Sequence, residues 1–206
     1  MARVGILGGT FNPPHIAHVV CAQEAHSQLR LDRVLLTPVS SPPHKELADD
    51  PGAARRGEMC ELVAGEEDWL EVCRLELDRG GVSYTVETLR ELTRQRPSDE
   101  HVLILGADVA RGLPGWREPE VIVRLAQIAV AAREDQHEDD VRVALSALGS
   151  VRDQVVFFDM PRLDISSSSI RDRIASGRPI RHLVPSCVLE YIEREGLYRV
   201  GGLARR

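Results

Sequence analysis

The run Val4-Gly5-Ile6-Leu7-Gly8-Gly9-Thr10-Phe11-Asn12-Pro13-Pro14-His15-Ile16-Ala17-His18 constrains this chain more than any other stretch, because its apolar residues break at two glycines and restart behind two prolines. Val4 to Leu7 is too short and too apolar for anything but a buried strand. Gly8-Gly9 then permits a sharp bend and a close approach of the backbone to whatever lies above the strand end. Asn12 followed by Pro13 and Pro14 predicts a helix start, with Asn as cap and Pro presetting φ in the first turn. On that helix His15 and His18, spaced i and i+3, point to one side. They sit beside unpaired N–H groups and the positive dipole end, together a place for a phosphate.

Two other readings fit parts of the pattern. A strand-Gly-Gly-helix junction arises in α/β proteins from tight-turn geometry alone, and a His pair at i, i+3 is often only a partly exposed helix face. Zinc is disfavoured, since helical zinc pairs prefer i, i+4 and neither HExxH nor paired-Cys spacing occurs. The glycines fit neither the P-loop pattern nor GxGxxG.

The segment from Gly8 to His18 resembles the Gly-Gly-(Ser/Thr)-Phe-(Asp/Asn)-Pro-x-His-x-(Gly/Ala)-His signature of the nucleotidyltransferase superfamily whose hallmark is HxGH. Within it, the chain is most similar to the bacterial nicotinate-nucleotide adenylyltransferase family. Two departures stand out: Asn12 occupies a position where Asp is common, and Ala17 replaces the usual Gly. Ala is the smallest alternative to that Gly.

Length and composition fit this resemblance. At 206 residues, with 43% hydrophobic and 4% aromatic side chains, one domain spanning 1–206 with an aliphatic α/β core is expected. The sequence opens directly into its first strand, and no apolar run is long enough to span a bilayer, so the expectation is a cytoplasmic protein without membrane contact. Cys21, Cys60, Cys73 and Cys187 lack CxxC spacing and read as reduced, mostly buried thiols. A net charge of −6 argues against a nucleic-acid binder and leaves no global field to attract anions, so any phosphate site must be local. Of 26 basic residues only Lys45 is a lysine. A compact ammonium in a proline-rich loop makes it a candidate substrate contact.

Along the chain, the spacing predicts helices over 15–29, 55–64, 85–96, 120–125, 141–148 and 185–197. Apolar runs predict strands over 33–39, 69–75, 101–105, 127–132 and 154–159. The alternation implies right-handed crossovers and a Rossmann-like doubly wound parallel sheet of the HxGH nucleotidyltransferase type. Ser41-Pro42-Pro43-His44-Lys45 lies at a strand end, where open parallel sheets place ligands, although such loops are often plain connectors. Ser83-Tyr84-Thr85 opens a helix and can equally be an ordinary cap. Gly106 can let a ribose or adenine lie against the backbone. Asp108 can accept from a sugar hydroxyl or cap the following turn. Trp116, on a loop, can stack a flat ring, whereas Trp69 reads as core. Arg55-Arg56 either lines the cleft or forms a solvated helix end.

Ile165-Ser166-Ser167-Ser168-Ser169-Ile170-Arg171 resembles the superfamily's Ile-Ser-Ser-(Ser/Thr)-x-(Ile/Leu)-Arg signature, although four serines could also be a redundant N-cap. Paired with the first signature it becomes far more specific, because hydroxyls and N–H groups can hold triphosphate oxygens while Arg171 clamps them. The resemblance implies His15, His18 and Arg171 as catalytic residues. It implies Gly8, Gly9, Thr10, Phe11, Gly106, Asp108, Arg133, Ile165, Ser166, Ser167 and Ser168 around ATP, and Asn12, His44, Lys45, Thr85 and Trp116 around the mononucleotide. No residue is assigned to metal; Mg2+ would come with ATP, held by phosphates and water. ATP and nicotinate mononucleotide are the expected partners, with a homo-oligomer open. The ending Gly196-Leu197-Tyr198 also resembles the family and is assigned to stability. Rival readings are a sister enzyme with another acceptor, a non-catalytic nucleotide sensor, and a class I aminoacyl-tRNA synthetase fragment, which the short chain and missing basic face oppose.

Overall fold

A computed structural model describes residues 1–43, 48–132, 138–149 and 154–199. Among these, six strands are formed: β1 (Arg3–Gly9), β2 (Arg33–Pro38), β3 (Leu70–Val72), β4 (Glu100–Gly106), β5 (Gln127–Ala132) and β6 (Val155–Asp159). They pair in parallel throughout, in the order β3-β2-β1-β4-β5-β6. The helices are α1 (Ile16–Gln28), α2 (Ala53–Ala64), α3 (Leu75–Arg79), α4 (Thr85–Gln95), α5 (Ala107–Arg111), α6 (Pro119–Leu125), α7 (Glu138–Ser146), α8 (Ser167–Ala175) and α9 (Ser186–Glu195). The doubly wound expectation holds.

Alternation along the strands builds two cores. Leu7, Val34, Leu36, Val102 and Ile104 face α1, α2, α8 and α9, whereas Ile6, Leu35, Leu103, Leu105 and Val130 face α4 to α7. Strands covered on both faces read as the continuous apolar runs seen in the sequence. Gly5 is required by this packing: a Cβ there would lie 2.8 Å from Leu31 Cδ1 and 2.9 Å from Ile104 Cδ1. The small stripe Ala17, Cys21 and Ala25 is likewise the buried side of α1.

Several boundaries differ from expectation. The strand predicted over 69–75 keeps only three residues. Cys73 N–H still bonds to the Leu36 carbonyl at 2.9 Å, but β2 ends at Pro38, which has no N–H to extend the ladder. Leu75 instead starts α3. Trp69 is half-buried at the rim, stacked 4.7 Å from His26, with its indole N–H on Glu67 at 3.0 Å. On α2 the buried stripe is Arg56, Met59, Cys60 and Val63, while Leu62 is exposed. The tail helix is α9, slightly shorter than predicted.

Candidate active site

The chain winds outward from β1 in one direction through β2 and β3, then returns to place β4 on the other side of β1. Loops leaving β1 and β4 therefore diverge, opening a crevice at the carboxyl ends of these strands. Both the first signature and the Gly106-Ala107-Asp108 turn leave the sheet there.

Immediately after β1 the backbone turns through Phe11, which has φ 47 and no exposed surface. Its ring lies 3.1 Å from where a Cβ on Gly9 would stand, so the second glycine makes room for it. Phe11 packs into the core and meets the His18 ring edge-on at 4.9 Å, so it can serve a ligand only through its backbone. Asn12 does not cap the helix. Pro13 and Pro14 precede α1, and His15, in extended conformation (φ −144, ψ 170), stands at the N-cap. Its backbone N–H donates to His18 Nδ1 at 3.2 Å, an imidazole acting where a capping box has a carboxylate.

The two rings stack at 3.6 Å. Because Nδ1 of His18 accepts, a neutral His18 carries its proton on Nε2. Burial holds His15 down to about 4. Burial, with His15 adding to it, holds His18 well below the usual imidazole range. His15 Nδ1 is buried without a partner. The expected supply of free helix N–H groups is smaller than the sequence implies: Ile16 N–H donates to the Leu183 carbonyl at 3.0 Å and His18 N–H to the His15 carbonyl at 2.9 Å. Two of the first N–H groups of the helix are therefore already engaged.

The second signature docks on the first. Ser167 Oγ donates to the Pro13 carbonyl at 2.9 Å, and Arg171 Nη1 donates to the Asn12 carbonyl at 2.9 Å. Ser166 accepts from Ser169 N–H at 3.1 Å as a true N-cap, so part of the serine run is structural. Ser168 is exposed and takes a 3.4 Å contact from Arg171 Nη2; Ile165 packs half-buried against the core. The Arg171 side chain is only 11% exposed, its Nε has no hydrogen-bond partner, and it lies 3.9 Å from Asp49. An unspent buried donor of this kind suits an incoming anion.

Beneath the turn lies Arg56, which is neither cleft-lining nor solvated. It is fully buried, with Nε on Asp50 (2.9 Å), Nη1 on the carbonyls of Thr10 (2.8 Å) and Val39 (2.7 Å), and Nη2 on that of Ser40 (2.9 Å). One guanidinium thus ties the ends of β1 and β2. Sequence reasoning missed this role, although Arg56 stands at i before Met59, Cys60 and Val63 on the apolar stripe.

On the other side of the crevice, Gly8 and Gly106 face open space where a side chain would stand. Asp108 is 91% exposed and paired with Arg111. Thr85 begins α4, whose entry is latched to the segment after β2: Ser83 N–H donates to the Ser41 carbonyl (2.8 Å) and Ser40 N–H to Ser83 Oγ (3.0 Å). Trp116 is half-buried against the same cluster as Tyr84. The next residue, Arg117, lies 4.6 Å over the Tyr84 ring and bonds to Glu87 at 3.0 Å, bringing the Trp116 loop to the start of α4. His44, Lys45 and Arg133 lie outside the described residues. Among the described residues no group of three or more His, Cys, Asp or Glu is placed to hold a metal ion, and no helix is long and apolar enough to cross a membrane.

Residues 6–173 match the cytidylyltransferase-like family model. A probable nicotinate-nucleotide adenylyltransferase of Roseiflexus castenholzii is 43% identical, covering 96% of this chain and 98% of its own; one from Shouchella clausii is 38% identical, covering 96% and 97%. The chain belongs to the nicotinate-nucleotide adenylyltransferase family. A solved structure of Plasmodium falciparum nicotinic acid mononucleotide adenylyltransferase, complexed with NaAD, shares this family member's fold at TM-score 0.78 and 17% identity, covering 96% of this chain and 98% of its own.

Two predictions follow from the buried groups of this adenylyltransferase-family site. Replacing Arg56 by Met strands three carbonyls and the Asp50 carboxylate, and is expected to lower unfolding free energy in urea by about 3–5 kcal/mol. Arg56→Lys recovers little of it, since an ammonium cannot span the fork. For His15, ordinary imidazoles of the unfolded chain bind protons below about pH 6.5, whereas the folded one does so only near 4. Its contribution to stability is therefore complete above the unfolded value and is lost as pH falls towards the folded one. Urea unfolding between these limits should show a shallower pH dependence in His15→Asn than in the parent.

Proposed function

We propose that this chain transfers the adenylyl group of ATP to nicotinate mononucleotide, giving deamido-NAD and pyrophosphate in NAD biosynthesis, with the whole chain 1–206 acting as one nucleotidyltransferase domain. The observation that carries this reading is the docking of Ser167 and Arg171 onto the turn that precedes the His15–His18 stack, at the switch point of the sheet. The names of the full-length relatives supply the acceptor.

The chemistry asks little of a base. The 5′-phosphate of the mononucleotide is largely dianionic at neutral pH, with a second pKa of about 6, and already nucleophilic. One of its oxygens attacks the α-phosphorus as the bond from that phosphorus to the bridging oxygen breaks, and pyrophosphate leaves with the electron pair. Alignment and charge stabilisation are what the protein must provide. The neutral His18, protonated on Nε2, donates to a phosphate oxygen without first shedding a counter-charge. His15 stacks behind it and offers its own ring donor. Arg171 supplies full positive charge beside the serine turn, where the leaving pyrophosphate would be held. Mg2+, when bound with ATP, neutralises phosphate charge. Such an ion would be carried mainly by the ATP phosphates and water.

For the acceptor, the start of α4 at Thr85 offers N–H groups to a pyridine carboxylate, and Trp116, drawn to the same place by Arg117, offers a flat face. Four free cysteines, three of them buried, accord with a reducing cytoplasm.

Incubation with Mg-ATP and either nicotinate or nicotinamide mononucleotide, followed by mass identification of the dinucleotide, tests the reading; the acid product should dominate. His18→Ala is expected to lower kcat by about 100- to 1,000-fold with unchanged circular dichroism. Near-normal pyrophosphate release by that variant would contradict the role given to His18.

A further inference from the structure

Tyr198 reaches into the site from the far end of the chain. Its hydroxyl donates to Asn12 Oδ1 at 2.8 Å, and its backbone is left-handed, with φ 62, a conformation a tyrosine adopts only when its surroundings hold it there. The Asn12 carboxamide has one possible orientation between these partners. The Ala48 carbonyl can only accept, so Nδ2 faces it at 3.2 Å, which leaves Oδ1 to Tyr198 as donor. Asn12 is 2% exposed, and its own carbonyl carries Arg171.

The segment on the far side of this amide is pinned residue by residue. Ala48 is bound to Asn12, Asp49 lies 3.9 Å from Arg171 Nε, and Asp50 bonds to Arg56 at 2.9 Å. Of these ties only the one at Ala48 runs through a side chain that Tyr198 also holds. An ionised aspartate at position 12 could accept from Tyr198 but could not donate to Ala48, so the Asn found in this chain is the residue that serves both partners.

We propose that Tyr198 is a positioning residue for the mononucleotide: by orienting the Asn12 carboxamide it holds the turn before His15 against the segment 48–50, and so sets the acceptor side of the crevice. This rests on the reading that places Asn12 at the mononucleotide. Burial raises the Tyr198 hydroxyl well above its ordinary pKa, which keeps it a donor throughout the working range. Loss of the hydroxyl leaves Oδ1 buried without its partner. The side chain then shifts to seek another donor for Oδ1, and the Ala48 bond weakens with it.

Tyr198→Phe in the full chain removes that one atom. The expected result is a KM for nicotinate mononucleotide raised about tenfold, with kcat and the KM for ATP within about twofold of the parent. Amide hydrogen exchange across 48–52 should quicken by about fivefold while β4 keeps its protection. An unchanged acceptor KM with unchanged exchange overturns the proposal, as does an equal rise in both KM values. Uniform loss of protection, β4 included, also overturns it, because Tyr198 would then be a general stabiliser. If the parent protein makes no dinucleotide, the functional reading fails by itself, and the exchange comparison still decides whether Tyr198 positions this segment.

Discussion

Backbone carbonyls leaving the carboxyl edge of a parallel sheet have lost their strand partners, and burying them unpaired is costly. At the switch point this chain satisfies them with two guanidinium groups. Arg56 takes those of Thr10, Val39 and Ser40, and Arg171 takes that of Asn12. The planar fork suits the task, since several donors in one plane can serve acceptors from different segments at once. Everything above the edge depends on it: the path of the chain through Thr10 to Pro14 decides where His15 caps α1, and the cap decides how the imidazoles stack.

The electrostatics of the site are local by necessity. With a net charge of −6 the molecule as a whole repels a triphosphate, so attraction must come from groups that meet it at contact distance. The two imidazoles are neutral at rest because they are buried together, and an uncharged donor placed in advance needs no solvent reorganisation when charge develops. Arg171 complements them. Most of its guanidinium is engaged in structure, yet Nε makes no hydrogen bond and has only Asp49 at 3.9 Å beside it. One residue can therefore hold the two signatures together and still present charge, which explains why the second signature needs its arginine at a fixed distance from its serines.

The parts legible in the sequence were those whose physical signal is local and periodic. The strand ends of β2 and β5 fall within a residue of expectation because continuous apolar runs bounded by Pro or Arg have few alternatives. α3, α5 and the 3-10 turn Leu113–Gly115 are too short to express a period. The helix cap was placed too early, at Asn12 where His15 stands, because Asn12 and two prolines carry a strong capping signal, whereas the Asn12 side chain is recruited by Tyr198 and Ala48, which are remote in sequence. Arg56 was misjudged for a related reason: a charge on a helix is ordinarily solvated, and only the carbonyls gathered by the sheet edge make its burial favourable. On α2 Cys60 is fully buried while Leu62 is exposed, since a free cysteine packs as a small hydrophobe.

The replacement of the family's Gly by Ala17 finds its account in the helix geometry. Ala17, Cys21 and Ala25 recur at four-residue steps along α1, and all three are buried. The methyl of Ala17 thus lies on the inward stripe, while His18, one position and about 100° further round, stands beside the His15 ring. Position 17 therefore lies on the buried side of α1. Ala keeps that buried position small while favouring the helix more than Gly would. A branched residue would lift the first turn of α1 and separate the imidazoles from the docked serine turn. The burial of α1 thus goes together with an imidazole pair held beside the docked serine turn.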